Sequence, residues 1–227
     1  MMSPLRALKH AGVCLLASTL LMGSPQDAHA KKRPAGIDFA NKGQVTLAGS
    51  AHFSSPSITG VAEGKEGDSV DGPTSFGLSF RGGYFVFSNE AMGLELGGKL
   101  SFERSDMEIA NVTTKSSTFM VALDPALYFK ALKTNGLFPF VHLSLGYGTQ
   151  GDEQEAAGMS NSSESTLTQI APGVGVTFNI GRGRGAKSRG AMIRTELNYE
   201  MNSSLDKDDN GSKTSGLALG VSFGAFF

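Results

Sequence analysis

The sequence predicts an all-β chain, an eight-stranded antiparallel transmembrane β-barrel, and three observations lead there. Large apolar residues alternate with small or polar ones in eight separate stretches, and period-two alternation marks strands with one apolar face. The stretches run about 10 to 14 residues, where soluble strands usually have 5 or 6, and a tilted strand needs about that length to cross a bilayer. The connections alternate long and short, as expected when both chain ends lie on the inner side and odd strands lead to outer loops. A soluble β-sandwich shares the alternation but explains neither the strand length nor the rhythm of the loops.

The strands are expected near 44–54, 74–88, 91–104, 117–130, 136–149, 165–179, 190–201 and 214–227. The first is the weakest, with Val45, Leu47 and Phe53 opposite Thr46, Ser50 and His52. In the second, Phe76, Leu78, Phe80, Tyr84 and Val86 oppose Gly77, Ser79, Arg81 and Gly83. The third sets Met92, Leu94, Leu96, Leu100 and Phe102 against Glu95, Gly97, Lys99, Ser101 and Glu103. The fourth sets Phe119, Val121, Leu123, Leu127 and Phe129 against Met120, Ala122, Asp124, Ala126 and Tyr128. In the fifth, Leu137, Val141, Leu143, Leu145 and Tyr147 face away from His142, Ser144, Gly146 and Gly148. The sixth opposes Ile170, Val174, Val176 and Phe178 to Gln169, Ala171, Gly173 and Thr177. The seventh is the sharpest, Ile193, Leu197, Tyr199 and Met201 alternating with Arg194, Glu196, Asn198 and Glu200. The last ends the chain as GLALGVSFGAFF. Pro125, Pro139 and Pro172 interrupt this grammar, because each removes a ladder donor.

The 227 residues carry a formal net charge of -1, no Trp and 30 Gly. That balance argues against a nucleic-acid binder, which needs a basic excess, and the apolar content argues against disorder throughout. Residues 1–30 have the form of a cleaved export signal. Arg6 and Lys9 precede the apolar run AGVCLLASTLLMG, and Ala28-His29-Ala30 supplies a small-x-small cleavage site. Residues 31–42 then read as a short periplasmic segment and 43–227 as the barrel. Cys14 lies within the apolar run, so the exported part has no cysteine and no disulfide.

Together these patterns resemble the small outer-membrane β-barrel family of OmpA-type and OmpX-type barrels. The alternating C-terminal strand ending in Phe223 and Phe227 resembles the signal read by the barrel-assembly machinery. PFVHLSLGYG, residues 139–148, is similar to a strand motif of that family, with Ser144 in place of one of its glycines. The resemblance implies a Gram-negative outer membrane, eight strands, a monomer, and contact with outer-membrane lipids and lipopolysaccharide. It does not imply a particular activity.

The candidate chemistry lies on the inward face and in the loops. Arg81, Glu95, Lys99, Glu103, Asp124, Arg194, Glu196 and Glu200 are expected to pair inside a barrel just wide enough to be filled by side chains. A narrow ion path is the alternative for the same residues. His142 and Ser144 share a face, and His-x-Ser resembles the catalytic pair of outer-membrane lipid A deacylases. In that reading His142 is the base, Ser144 the nucleophile and Glu155 their carboxylate partner. The parity turns the pair inward, away from lipid. Asp206, Asp208 and Asn210 open a calcium-loop pattern whose twelfth position is Leu217 instead of Glu. The proposed outer connections are acidic and the inner turns basic, notably GRGRGAKSRG, which suits lipid phosphates or plain solvation. Tyr84, Phe87, Phe129, Tyr147 and Tyr199 fall where aromatic belts are expected, while Phe138 and Phe140 point inward as a plug. No cofactor is expected, and an unidentified surface ligand is.

Overall fold

The computed structural model describes residues 38–62, 65–72, 74–109, 112–133, 136–156, 159–182, 188–205 and 211–227. The expected export signal, residues 31–37 of the segment 31–42, the calcium-loop residues Asp206, Asp208 and Asn210, and the centre of the basic turn lie outside the described residues. Ten strands are formed: β1 (Val45–Ala62), β2 (Lys65–Asp71), β3 (Ser75–Ser88), β4 (Met92–Ile109), β5 (Val112–Leu123), β6 (Ala126–Phe129), β7 (Leu137–Ala156), β8 (Met159–Arg182), β9 (Arg189–Leu205) and β10 (Gly211–Phe226). All pairings are antiparallel. β10 pairs back onto β1 from Thr46↔Phe226 to Val61↔Gly211, which closes the sheet. The last residue joins the closure, because Phe227 and Val45 exchange both backbone hydrogen bonds, at 2.8 and 3.0 Å.

The ring has eight members, with β5 and β6 as one strand broken at Asp124–Pro125 and β2 folded back on the outer end of β1. Ala48 faces Arg81, and the partners continue through Lys99, Ala122, Gly146, Gln169, Asn202 and Thr214 to Ile58. One circuit therefore climbs from Ala48 to Ile58, a stagger that tilts the strands by about 40° from the barrel axis.

The prolines cost little. Gly98↔Leu123 and Glu95↔Ala126 lie on one continuous register, as do Leu123↔Leu145 and Ala126↔His142 on the other side. Pro125 removes its own donor without shifting the strand, and its carbonyl still accepts from Leu143 N–H at 3.2 Å. Pro172 likewise leaves the β8–β9 register unchanged between Ile170↔Met201 and Gly173↔Asn198. Pro139 lies just beyond the last β6–β7 pair, Tyr128↔Phe140.

Two expectations need correction. The register of β3 on β4 shifts between Phe85 and Phe87, so a bulge at Val86 turns Phe87 outward in its place. The supposed outer loops at 55–73, 105–116 and 150–164 are mostly strand. β1 and β2, β4 and β5, and β7 and β8 continue as hairpins well above the apolar belt, and β8 alone has 24 residues. These extensions are rich in Ser, Thr, Asn and acidic residues, and both faces meet water. They therefore carry no apolar alternation to mark them as strand.

The surface is turned inside out relative to a soluble protein. Leu47, Phe80, Leu96, Leu123, Ile170, Leu219 and Phe223 are exposed, while Arg194, Glu95 and Asn179 are among the most buried side chains. A continuous apolar band of this size marks a lipid-facing surface. No described helix is long and apolar enough to cross a membrane, and the strands do the crossing.

One end of the lumen is corked by aromatics. Phe138 and Phe140 point inward as expected and join Phe85, Tyr128 and Phe226. The centre of the cluster is Phe39, which belongs to the segment expected to lie outside the barrel. Phe39 is fully buried, with ring centroids 5.1–5.3 Å from Phe85, Tyr128, Phe138 and Phe226 in edge-on contact. Ala40, beside it, has φ 62°, and its carbonyl sits against Gly93, where a Cβ would collide with it. Gln44 holds the segment by accepting from Asn41 N–H at 2.9 Å and donating to the carbonyls of Asp38 and Ser188 at 3.2 and 3.1 Å. At the turn following β6, the Lys130 ammonium donates to Asn41 and Ser88 at 2.9 and 3.0 Å. Burial pulls its pKa below the ordinary lysine value, against the opposing charge of Asp38.

Replacing Phe39 with Ala should destabilise the barrel by about 3–5 kcal/mol, as for other buried Phe→Ala changes. Urea unfolding in lipid vesicles measures the loss, and faster exchange of the Phe85 and Tyr128 amides would locate it at this end.

Candidate functional site

Above the cork lies an ionic layer built from five strands. Alternation on β3, β4 and β9 turns Arg81, Glu95, Arg194 and Glu196 inward, the break between β5 and β6 keeps the same parity for Asp124, and β7 adds His142. Arg81 grips Glu95 with both terminal nitrogens, at 3.0 and 2.8 Å, and donates from Nε to Asp124 Oδ2 at 2.5 Å. Its Nη2 also reaches the Asp124 carbonyl at 3.1 Å. That carbonyl belongs to the break before Pro125, so the interruption places an extra acceptor on the arginine. Gly97 leaves room for the guanidinium, since a Cβ there would meet both Arg81 and Asp124.

Asp124 is the hub. Its second oxygen faces His142 Nδ1 at 2.7 Å, and the other ring nitrogen meets Asn198 Oδ1 at 2.8 Å. Arg194 donates to Glu196 at 2.8 Å and to the Tyr128 hydroxyl at 3.2 Å, while its guanidinium lies 4.0 Å above the Phe140 ring. Thr46 donates to Glu95. Cork and ionic layer thus share Tyr128 and Phe140, and together they fill the lower lumen. Desolvated charges are tolerable here because each is held by an opposite charge and by hydrogen bonds.

The other expected interior charges lie higher. Glu103 accepts from Ser75 and stands 3.6 Å from His52 Nε2. The Lys99 ammonium lies in the field of Glu103, Glu196 and Glu200. This upper group borders a vestibule of about 140 Å³ that opens toward the outer hairpins and is lined mainly by Ser, Thr and amide side chains.

His142 and Ser144 do not form a nucleophile–base pair. Both are buried in the lumen. The two ring nitrogens of His142 are taken by Asp124 and Asn198, and Ser144 Oγ has no hydrogen-bond partner among the described residues. Glu155 stands thirteen residues beyond His142 on β7, opposite Thr113, or about 40 Å away at the rise of a strand. The carboxylate that meets His142 is Asp124, which sequence spacing did not suggest.

The sequence reading also missed Phe39, Thr46, Tyr128 and Asn198 as members of the lumen machinery. Parity placed the last three inward, and a search for polar groups level with Arg81 and Arg194 would have found them. No periodic signal marks Phe39, because it precedes the first strand.

The course of the chain is similar to that of several solved bacterial barrels. Against the attachment invasion locus protein Ail of Yersinia pestis, identity is 18% over 82% of this chain and 99% of that one, with a TM-score of 0.43. Neisserial surface protein A gives 13% identity over 80% and 96%, with a TM-score of 0.45. OprG of Pseudomonas aeruginosa gives 17% over 85% and 99%, with a TM-score of 0.43. No protein-family profile and no curated protein matches the sequence.

Changing Asp124 to Ala leaves Arg81 and His142 without their shared carboxylate and should cost about 3–5 kcal/mol. Ser144→Ala removes a hydroxyl that has no partner among the described residues and should stay within about 0.5 kcal/mol of the parent. Paired urea titrations in vesicles check both.

Proposed function

We propose that this chain is a monomeric outer-membrane barrel of a Gram-negative cell whose work is done by its outer strand ends, as a rigid contact surface. The observation that carries this reading is the filled lower lumen. The aromatic cork and the ionic layer stack buried side chains across the lumen, which speaks against a solute path and in favour of the outer hairpins as the working surface. In this reading the apolar belt meets outer-membrane lipids, the outer rim meets lipopolysaccharide, and the ending at Phe227 is the mark read by the assembly machinery.

The outer end of β4 supports a mode of contact. From Ser105↔Ser116 to Ile109↔Val112 it pairs with β5, while its ladder with β3 stops at Phe76↔Arg104. Among the described residues this stretch has one partner strand, and β2 is paired with β1 alone. An open edge well above the lipid band can accept an added strand. β2 carries the exposed Glu66 and Asp68 against Lys65, and Glu66 pairs with Lys213 at 2.5 Å. An extended, basic peptide segment fits this edge through backbone hydrogen bonding and charge.

An alternating Lys-Val peptide should bind the full chain in nanodiscs and weaken as salt rises. Joint replacement of Glu66 and Asp68 by Lys should weaken it at least tenfold, and backbone N-methylation of the peptide should abolish binding. Fluorescence anisotropy reads all three, and equal binding by the N-methylated peptide would exclude strand addition. Planar-bilayer recordings of the same protein should show no resolved conductance steps.

A further inference from the structure

On the outer wall of the barrel, β4, β5, β7 and β8 form a groove at the upper edge of the lipid-facing band. Residues directly opposite across a ladder share a face. One row therefore runs Phe102, Phe119, Thr149 and Thr166, and the next row up runs Arg104, Ser117, Gly151 and Glu164. Phe102 and Phe119 are 50% and 42% exposed, which sets both rows on the outside. The row below, with Leu100, Val121 and Tyr147, belongs to the apolar band. Above the groove, Lys115 stands opposite Glu153. The wall thus passes from apolar to charged over a short rise, as a lipid headgroup does.

The groove lies over Gly151. Glycine inside a strand weakens it and commonly marks a bulge, a bend or the close approach of another group. No bulge occurs here. The β5–β7 register runs unbroken from Val112↔Ala156 to Leu123↔Leu145, and the β7–β8 register from Leu137↔Phe178 to Ala156↔Met159. Nor does a neighbour fill the space, since a Cβ at Gly151 would meet only Ser117 Oγ, at 3.6 Å. The Phe102 and Phe119 rings, with centroids 5.1 Å apart, bound the groove below. Exposed hydroxyls of Ser117, Thr149 and Ser163 and the carboxylate of Glu164 line the rest. Its volume of about 630 Å³ falls within the range of small-molecule sites, roughly 300–1,000 Å³. An aromatic girdle accounts for the rings at this height, but not for the glycine or the hydroxyl wall.

Aromatic rings beside hydroxyls complement a sugar ring, which has a C–H face and a rim of hydroxyl groups that both donate and accept. The charge present selects among headgroups. Glu164 is the charged residue in the lining, while Arg104 heads its row without lining the groove, so a phosphate is disfavoured against a neutral sugar. We propose that the groove seats the neutral sugar ring of an outer-leaflet glycolipid, whose acyl chains run down the wall over Val121 and Tyr147. The sugar lies on the Phe102 and Phe119 rings and exchanges hydrogen bonds with Ser117, Thr149 and Glu164. This proposal rests on the outer-membrane reading and is independent of strand addition at the β4 edge.

The probe is monogalactosyl diacylglycerol, titrated into phosphatidylcholine nanodiscs that hold the full chain and followed by backbone amide chemical shifts. Saturable shifts are expected at Ser117, Phe119, Thr149 and Gly151, with the β1–β10 seam unmoved. Gly151→Leu, which fills the groove and leaves the ladder intact, should weaken the apparent affinity at least tenfold. Phe119→Leu keeps an apolar side chain but removes the ring; it should also weaken binding and covers the case in which the first variant fails to fold. Equal shifts with diacylglycerol would overturn the proposal by showing that the sugar is irrelevant. Equal shifts with phosphatidylglycerol would overturn it in favour of a charged headgroup, and equal shifts with free galactose in favour of a soluble sugar. Unaltered binding in both variants would overturn it as well. A chain that fails to insert into discs lacking the glycolipid overturns the membrane reading and the proposal with it, whereas an inserted chain without saturable shifts overturns the proposal alone.

Discussion

Everything in this molecule follows from the requirement that no backbone polar group be left unpaired in lipid. The hydrogen-bonded seam between β1 and β10 meets that requirement, down to the pair formed by Val45 and the terminal Phe227. Once the sheet is closed, each strand has an outside and an inside, and the two-residue period assigns every side chain to one of them. The large apolar residues take the lipid side. What remains, glycine, serine and charge, must then be accommodated in a narrow lumen.

The lumen handles its contents in layers. Aromatic rings close the inner end, where Phe39 supplies a centre that strand side chains by themselves would leave hollow. Arginine–carboxylate pairs fill the middle, where low dielectric makes an unpaired charge costly and a paired one rigid. Hydroxyls and amides line the outer part, where water begins to reach. The gradient from apolar to ionic to hydrated runs along the barrel axis and explains why the barrel is solid at one end and hollow at the other.

Much of this was legible in the residues. Alternation placed Arg81, Glu95, Asp124, Arg194 and Glu196 inward, because parity along a regular strand is a local property. It also turned Phe138 and Phe140 inward and, against the resemblance to a deacylase, His142 and Ser144. It failed where the local rule is broken or silent. The bulge at Val86 exchanged one outward residue for the next. The outer hairpins were read as loops, since strands wetted on both faces carry no apolar period. Pro125 appeared to threaten the register, yet the register passes through it and its neighbour Asp124 becomes the hub.

The sequence by itself determined the eight-membered ring, the inward and outward faces of its regular strands and the charge content of the lumen, because each depends on residue type at a spacing of two. The tertiary structure alone decided which charges meet. Partners such as Arg81 and Asp124, or His142 and Asn198, are 43 and 56 residues apart, and the stagger of the closed ring brings them to one level. It also decided that Phe39 fills the inner end and that Lys99 serves Glu103, Glu196 and Glu200 together. Both are outcomes of closure, in which residues with no sequence relation compete for the same small volume.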